Sequence, residues 1–190
     1  MSDLILASGS AYRRMLLDRL GLAFEVIAAD IDESPRVNES GADLALRLGC
    51  AKARAVAEQY PDRLVIGSDQ VAECEGRLLG KPGSPERAIE QLGLCSGREI
   101  VFHTSVALAR DEQLLSRLVP TRVVMRELTR ETIERYVARD QPLDCAGAMK
   151  SEALGIALAR AMSSDDPTAL IGLPLIATTT LLGEFGRTIP

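Results

Sequence analysis

The segment Leu4-Ile5-Leu6-Ala7-Ser8-Gly9-Ser10-Ala11-Tyr12-Arg13-Arg14 constrains this chain more than any other. It opens on an apolar run short enough to be a buried strand and breaks at Ser8-Gly9-Ser10. It then passes directly into a pattern with Leu16, Leu17 and Leu20 at helical spacing. A turn that feeds a strand into a helix presents unsatisfied backbone N–H groups and a partial positive charge, a ready site for an anion. Ser8 and Ser10 add hydroxyls, and arginine adds a planar, permanently charged fork suited to phosphate. Ser10 is equally readable as a helix N-cap, and Arg13 and Arg14 as solvated residues of the first turns. Against that plainer reading, an arginine pair there opposes the helix dipole, which favours Asp and Glu. The turn is therefore read as a phosphate site.

The alternation continues along the chain. Phe24 to Ala28 reads as a second strand, followed by the acidic loop Asp30-Ile31-Asp32-Glu33-Ser34-Pro35. Ser40 caps a long helix with Asp43 as a capping-box-like partner. Leu44, Leu48, Ala51 and Ala55 form its apolar stripe, and Lys52 lies about 80° from Leu44, on the border of that stripe. Leu64-Val65-Ile66 is an apolar run that ends in Gly67-Ser68-Asp69-Gln70, and Val71 resumes a strand-like pattern. Gly80-Lys81-Pro82-Gly83 is a second punctuated loop, and Ser84 caps a helix to about Leu94. Segments 99–109 and 114–128 read as an antiparallel strand pair. Thr129 caps a helix to about Ala138, a polar loop covers 163–168, and a closing helix follows Gly172-Leu173-Pro174. Strands alternating with helices, plus a long hairpin, indicate one α/β domain over 1–190 with a mixed sheet.

Composition narrows the chemistry. The four cysteines, Cys50, Cys74, Cys95 and Cys145, form no Cys-x-x-Cys pair and read as free thiols of a reducing compartment rather than a zinc site. The one histidine, His103, sits in an apolar stretch as a packing residue, so a Ser-His-Asp triad is excluded. Chemistry must come from carboxylates, lysines and arginines, with a bound metal as a further option. A net charge of −5 and 3% aromatic content disfavour a nucleic-acid polymer as partner. No apolar run approaches the ~18 residues needed to span a bilayer. With no basic leader before the first strand, the expected location is the cytoplasm. Asp69 is a candidate general base or metal ligand. Asp30, Asp32 and Glu33 offer further carboxylates, and Lys52 and Lys81 suit a polyphosphate. Paired carboxylates with phosphate oxygens are the usual way to hold Mg²⁺ or Mn²⁺.

These blocks together resemble the Maf-like family of nucleotide pyrophosphatases over essentially the whole chain. The matching residues are Ser8 to Arg14, Asp32-Glu33, Lys52, Gly67-Ser68-Asp69-Gln70, Gly80-Lys81-Pro82, Ser96-Gly97 with Thr104, Ala146-Gly147, Lys150-Ser151-Glu152 and Gly172-Leu173-Pro174. The resemblance implies an α/β fold like that of inosine triphosphatase, with a mixed sheet, flanking helices and two lobes around a central cleft. It also implies metal-dependent hydrolysis of nucleoside triphosphates to monophosphate and pyrophosphate, and it is compatible with a homodimer. Asp69 would activate water, with a divalent ion held by Glu33 and Asp69. Ser8, Ser10, Arg13, Lys52 and Lys81 would hold the phosphates.

Within the family, the dTTP/UTP-hydrolysing branch usually carries Arg, Thr and Gln where this chain has Tyr12, Gln70 and Glu152. The chain is more similar to the 7-methyl-GTP branch, which usually carries an aromatic residue, Gln and Glu there. Physical chemistry agrees. N7-methylated guanine is cationic, and the Tyr12 face would stack on it with a gain of roughly 0.5–2 kcal/mol. Glu152 would accept from the guanine N1–H and N2 amino edge, and Gln70 would donate to or accept from another base edge. Two departures stand out: Tyr12 where that branch more often has Trp, and Ala11 where many members have Pro. The competing readings are a dTTP/UTP pyrophosphatase and a non-catalytic nucleotide-binding regulator of cell division.

Overall fold

The computed structural model describes residues 2–189. Its strands are β1 (Leu4–Leu6), β2 (Glu25–Val26), β3 (Leu64–Cys74), β4 (Arg77–Leu79), β5 (Glu99–Arg110), β6 (Gln113–Met125) and β7 (Ala159–Ser164). Five α-helices accompany them: α1 (Ala11–Asp18), α2 (Gly41–Ala57), α3 (Pro85–Cys95), α4 (Arg130–Asp140) and α5 (Leu175–Glu184). The strands form one mixed sheet in the order β2-β1-β3-β5-β6-β7, with β4 paired to β3. β1 is parallel to both β2 and β3, whereas β4 is antiparallel to β3 and β7 to β6. Asp111 and Glu112 alone join β5 to β6, a connection that only antiparallel neighbours permit.

The chain divides into two compact units. One comprises the chain up to Gln70, Thr104–Val119 and Asp166 onward; the other is Val71–His103 with Pro120–Asp165. In the first unit, strand alternation sorts the core into two faces. Leu4, Leu6, Leu64, Ile66, Val106 and Leu108 point to the side covered by Leu16 and Leu17 of α1 and Leu181 and Leu182 of α5. Ile5, Ala7, Val65, Ala107 and Ala109 point the other way, onto Ala53, Val56 and Ala57 of α2. In the second unit α3 packs on α4, each opened by a hydroxyl cap: Ser84 accepts from the Arg87 N–H and Thr129 from the Thr132 N–H. The four cysteines are all free. No helix among the described residues is long and apolar enough to cross a membrane.

Three readings of the sequence need correction. β3 does not end at Ile66; it runs unbroken through Gly67-Ser68-Asp69-Gln70 to Cys74. Buried polar residues interrupt the apolar run without interrupting the ladder. β7 begins at Ala159 and takes in Ser163 and Ser164, the start of the segment read as a polar loop. Its sequence, Ala-Arg-Ala-Met-Ser-Ser, is almost wholly exposed and carries no strand pattern. The buried face of α2 includes Ala45, Leu48, Gly49, Lys52, Ala53 and Val56, whereas Ala51 and Ala55 are only half-buried. Lys52 thus stands inside the buried face rather than on its border.

Candidate active site

The alternation that builds the core also aims the polar residues of β3. Gly67 and Asp69 continue the face of Val65, toward α2; Ser68 and Gln70 continue that of Ile66. At Gly67 a Cβ would overlap the Gly49 carbonyl and the Ala53 backbone nitrogen, and at Gly49 it would overlap Ser105 Oγ. Two glycines therefore let helix and strand approach more closely than side chains permit. At that approach Lys52 reaches Asp69: Nζ to Oδ1 is 2.6 Å, with both residues 7% exposed. Ser105 fixes the same junction, donating to the Ala45 carbonyl at 2.6 Å and accepting from the Asp69 N–H at 3.2 Å.

Lys52 Nζ also lies 2.7 Å from Glu33 Oε1. The acidic loop carrying Glu33 is clamped to α2 by Arg47. Its guanidinium meets both oxygens of Glu39 at 2.6 and 2.9 Å and donates to the Ser34 carbonyl at 3.0 Å. Arg47 and the Arg36 N–H together pull the Glu39 carboxyl down to about 2.

Arg13 approaches from α1. Nε donates to the Gly172 carbonyl at 2.9 Å and Nη1 to Ser8 Oγ at 3.2 Å, while Nη2 stands 3.8 Å from Asp69 Oδ1. Burial pulls the guanidinium below its usual range, and the charges of Asp69 and Glu33 oppose that pull. Ser8 is buried and accepts from the Ser10 N–H as well. Ser10 caps α1, its Oγ 3.4 Å from the Arg13 N–H. Two cations and two carboxylates thus meet around one point, formally balanced in charge.

The opposite face of β3 meets the segment 166–174. Ser68 donates to the Gly172 carbonyl at 2.9 Å, and Gln70 Nε2 donates to the Ala169 and Leu170 carbonyls. Gly172 adopts φ 129°, a conformation costly for any side chain, which helps aim its carbonyl at Arg13 and Ser68. Asp166, 2% exposed, ties the segment to α5: Oδ1 accepts from the Thr168 N–H and hydroxyl, and Oδ2 from the Ile176 N–H at 2.6 Å.

Ser8, Ser10, Arg13, Glu33, Lys52, Asp69 and Gln70 therefore belong to one network in the first unit, and Tyr12 stands half-buried beside Arg13 on α1. Lys81 and Glu152 belong to the second unit, both exposed. Lys81 lies in the loop after β4, and Glu152 follows Ser151, whose hydroxyl is 3.4 Å from its Oε2. Ser68, Thr104, Ser105, Asp166 and Gly172 bond to the network's residues or its supporting segment, and sequence reasoning gave none of them a role.

The residues bear on a divalent ion as follows. Glu33 Oε1 and Asp69 Oδ1 converge on a single cation, the Lys52 ammonium. Among the described residues no group of three or more His, Cys, Asp or Glu is placed to hold a metal. Two hard carboxylate donors fit Mg²⁺ or Mn²⁺, which take one or two carboxylates and fill the remaining positions with water and phosphate.

Residues 3–185 match the family model described as Maf-like protein. A 7-methyl-GTP pyrophosphatase of Aromatoleum aromaticum is 54% identical over 191 residues, covering 100% of this chain and 98% of the relative. One from Pseudomonas aeruginosa is 50% identical over 192 residues, covering 100% of each. A solved HAM1 protein from Coxiella burnetii is similar over 67% of this chain and 75% of its own, with a TM-score of 0.49 and 20% identity.

Proposed function

The chain belongs to the Maf-like family, and on that premise we propose that it hydrolyses 7-methyl-GTP to 7-methyl-GMP and pyrophosphate. Relatives that match from end to end at 50–54% identity carry that name, which supports the substrate. The observation that carries the chemistry is the buried Asp69, held at one point by Lys52 and faced by Arg13.

In this reading Asp69 takes a proton from a water molecule whose oxygen attacks the α-phosphorus. The bond between that phosphorus and the α,β-bridging oxygen breaks, and pyrophosphate leaves with the bonding electrons. Arg13 is held through Nε and Nη1, which leaves Nη2 to meet phosphate oxygens. Ser8 Oγ accepts in both of its hydrogen bonds, so its hydroxyl hydrogen is left for a phosphate. Lys52 exchanges its carboxylate partners for phosphate oxygens, and Lys81 adds positive charge. Glu33 and Asp69 would hold Mg²⁺ or Mn²⁺, which when bound neutralises charge on the phosphates as a Lewis acid. Tyr12 stacks on the cationic base, Glu152 accepts from its N–H edge, and Gln70 completes the selection. Free thiols suit a reducing cytoplasm.

A nucleotide panel with pyrophosphate detection, run in Mg²⁺ and in Mn²⁺, tests the proposal. 7-Methyl-GTP is expected to lead. A lead for dTTP or UTP would replace the substrate assignment. Tight triphosphate binding with no pyrophosphate released would replace the enzyme with a regulator.

A further inference from the structure

Gln70 is an amide whose two ends can be told apart by chemistry. Nε2 lies 3.0 Å from Thr104 Oγ1, 3.0 Å from the Ala169 carbonyl and 2.9 Å from the Leu170 carbonyl. Backbone carbonyls only accept, so the NH₂ end must face them. Thr104 Oγ1 gives its one hydrogen to the Ala169 carbonyl at 2.9 Å, and so meets Gln70 as an acceptor. The two amide hydrogens are shared among three acceptors. A half-turn of the amide would forfeit both carbonyl bonds and set oxygen against oxygen there, and Thr104 could then meet Oε1 only by withdrawing its hydrogen from the Ala169 carbonyl. Thr104 is fully buried, whereas Gln70 is only half-buried.

We propose that Thr104 is a positioning residue for base selection: with the Ala169 and Leu170 carbonyls it locks the Gln70 amide so that a nucleobase is offered only the acceptor Oε1. Gln70 then accepts from a base and does not donate to one. It favours a base presenting an N–H beyond the pair given to Glu152, as guanine does with the second hydrogen of its N2 amino group. A bare ring nitrogen or carbonyl would meet lone pair with lone pair and be rejected. This inference rests on the reading of Gln70 as a base-selecting residue.

Thr104→Val removes the hydroxyl at nearly constant volume, and Thr104→Ser keeps it. The first measurement needs no substrate: solvent exchange of the Gln70 side-chain NH₂, followed by NMR in the free protein. Slow exchange in wild type and in Thr104→Ser, with faster exchange in Thr104→Val, supports the lock; fast exchange in wild type overturns it whatever the nucleotide panel gives. The second is the ratio of kcat/KM for 7-methyl-GTP over 7-methyl-ATP, whose base has no N2 amino group to donate to Oε1. Thr104→Val should lower that ratio by about fivefold, the worth of one hydrogen bond, and Thr104→Ser should restore it. A Thr104→Val protein that loses thermal stability but keeps both the ratio and the slow exchange reduces Thr104 to a packing residue and overturns the proposal.

Discussion

Gly67→Ala should damage this protein although alanine suits the backbone there. Gly67 is not among the residues with positive φ, so the substitution carries no conformational penalty. In open space it would stabilise by about 0.4–1 kcal/mol, by narrowing the unfolded ensemble. Here the added Cβ lands on the Gly49 carbonyl, the Ala53 backbone nitrogen and, at 2.9 Å, the Ala53 Cβ. Backbone atoms cannot rotate aside, so α2 must shift as a body. Overpacking of this kind costs about 1–3 kcal/mol, leaving a net loss of about 1–2 kcal/mol after the entropic gain. The same shift draws Lys52 off Asp69, and a misplacement of about 1 Å at a reacting centre costs on the order of 10²-fold in rate. Urea unfolding and kcat measure the two effects. Gly93→Ala is the control: that glycine lies within α3 with no atom near the added Cβ and no positive φ, so the change should stabilise by about 0.5–1 kcal/mol. A Gly67→Ala protein as stable and as active as wild type would refute the account of how α2 meets β3.

Lys52→Met should remove turnover and destabilise toward the lower end of the ~3–5 kcal/mol typical of a broken buried pair, because Arg13 still faces Asp69 at 3.8 Å. Adding Asp69→Asn should recover part of that loss, and additive effects in the double-mutant cycle would show that the pair is uncoupled. For Glu39, the folded carboxyl titrates near 2 against an ordinary 4.5. Its stabilisation is thus complete above about pH 4.5 and is lost as pH falls toward 2. Melting curves of wild type and Glu39→Gln should therefore differ most near pH 6 and converge only below about pH 2; a constant difference across that range would contradict the clamp.

The opening strand, turn and helix were legible because their signals are local: an apolar run, a hydroxyl cap and leucines at helical spacing. The helices begun by Ser40, Ser84 and Thr129 were legible for the same reason. β3 reads as ending at Gly67-Ser68-Asp69-Gln70 because a polar residue inside a buried strand looks, in one dimension, like the strand's end. The alternation was nevertheless there: Ser68 and Gln70 share one parity, and Gly67 and Asp69 the other. Lys52 reads as a border residue because its angle is measured from a stripe of leucines and alanines, and the carboxylates that make its burial tolerable, Glu33 and Asp69, lie outside the helix in sequence. Thr104 and Ser105 stayed invisible in role because what they serve is distant in sequence: Thr104 meets a carbonyl 65 positions away, and Ser105 one 60 positions away.

The anchors for Arg13, Ser68 and Gln70 on 166–174 are main-chain oxygens, those of Ala169, Leu170 and Gly172. A main-chain oxygen cannot be deleted by a point mutation; it can only be moved. Side chains at 169 and 170 are accordingly free to vary, within the limits of burial, without loss of the frame that holds the network. Exchanges at 70 and 104 would then be made against a reference that does not change with them.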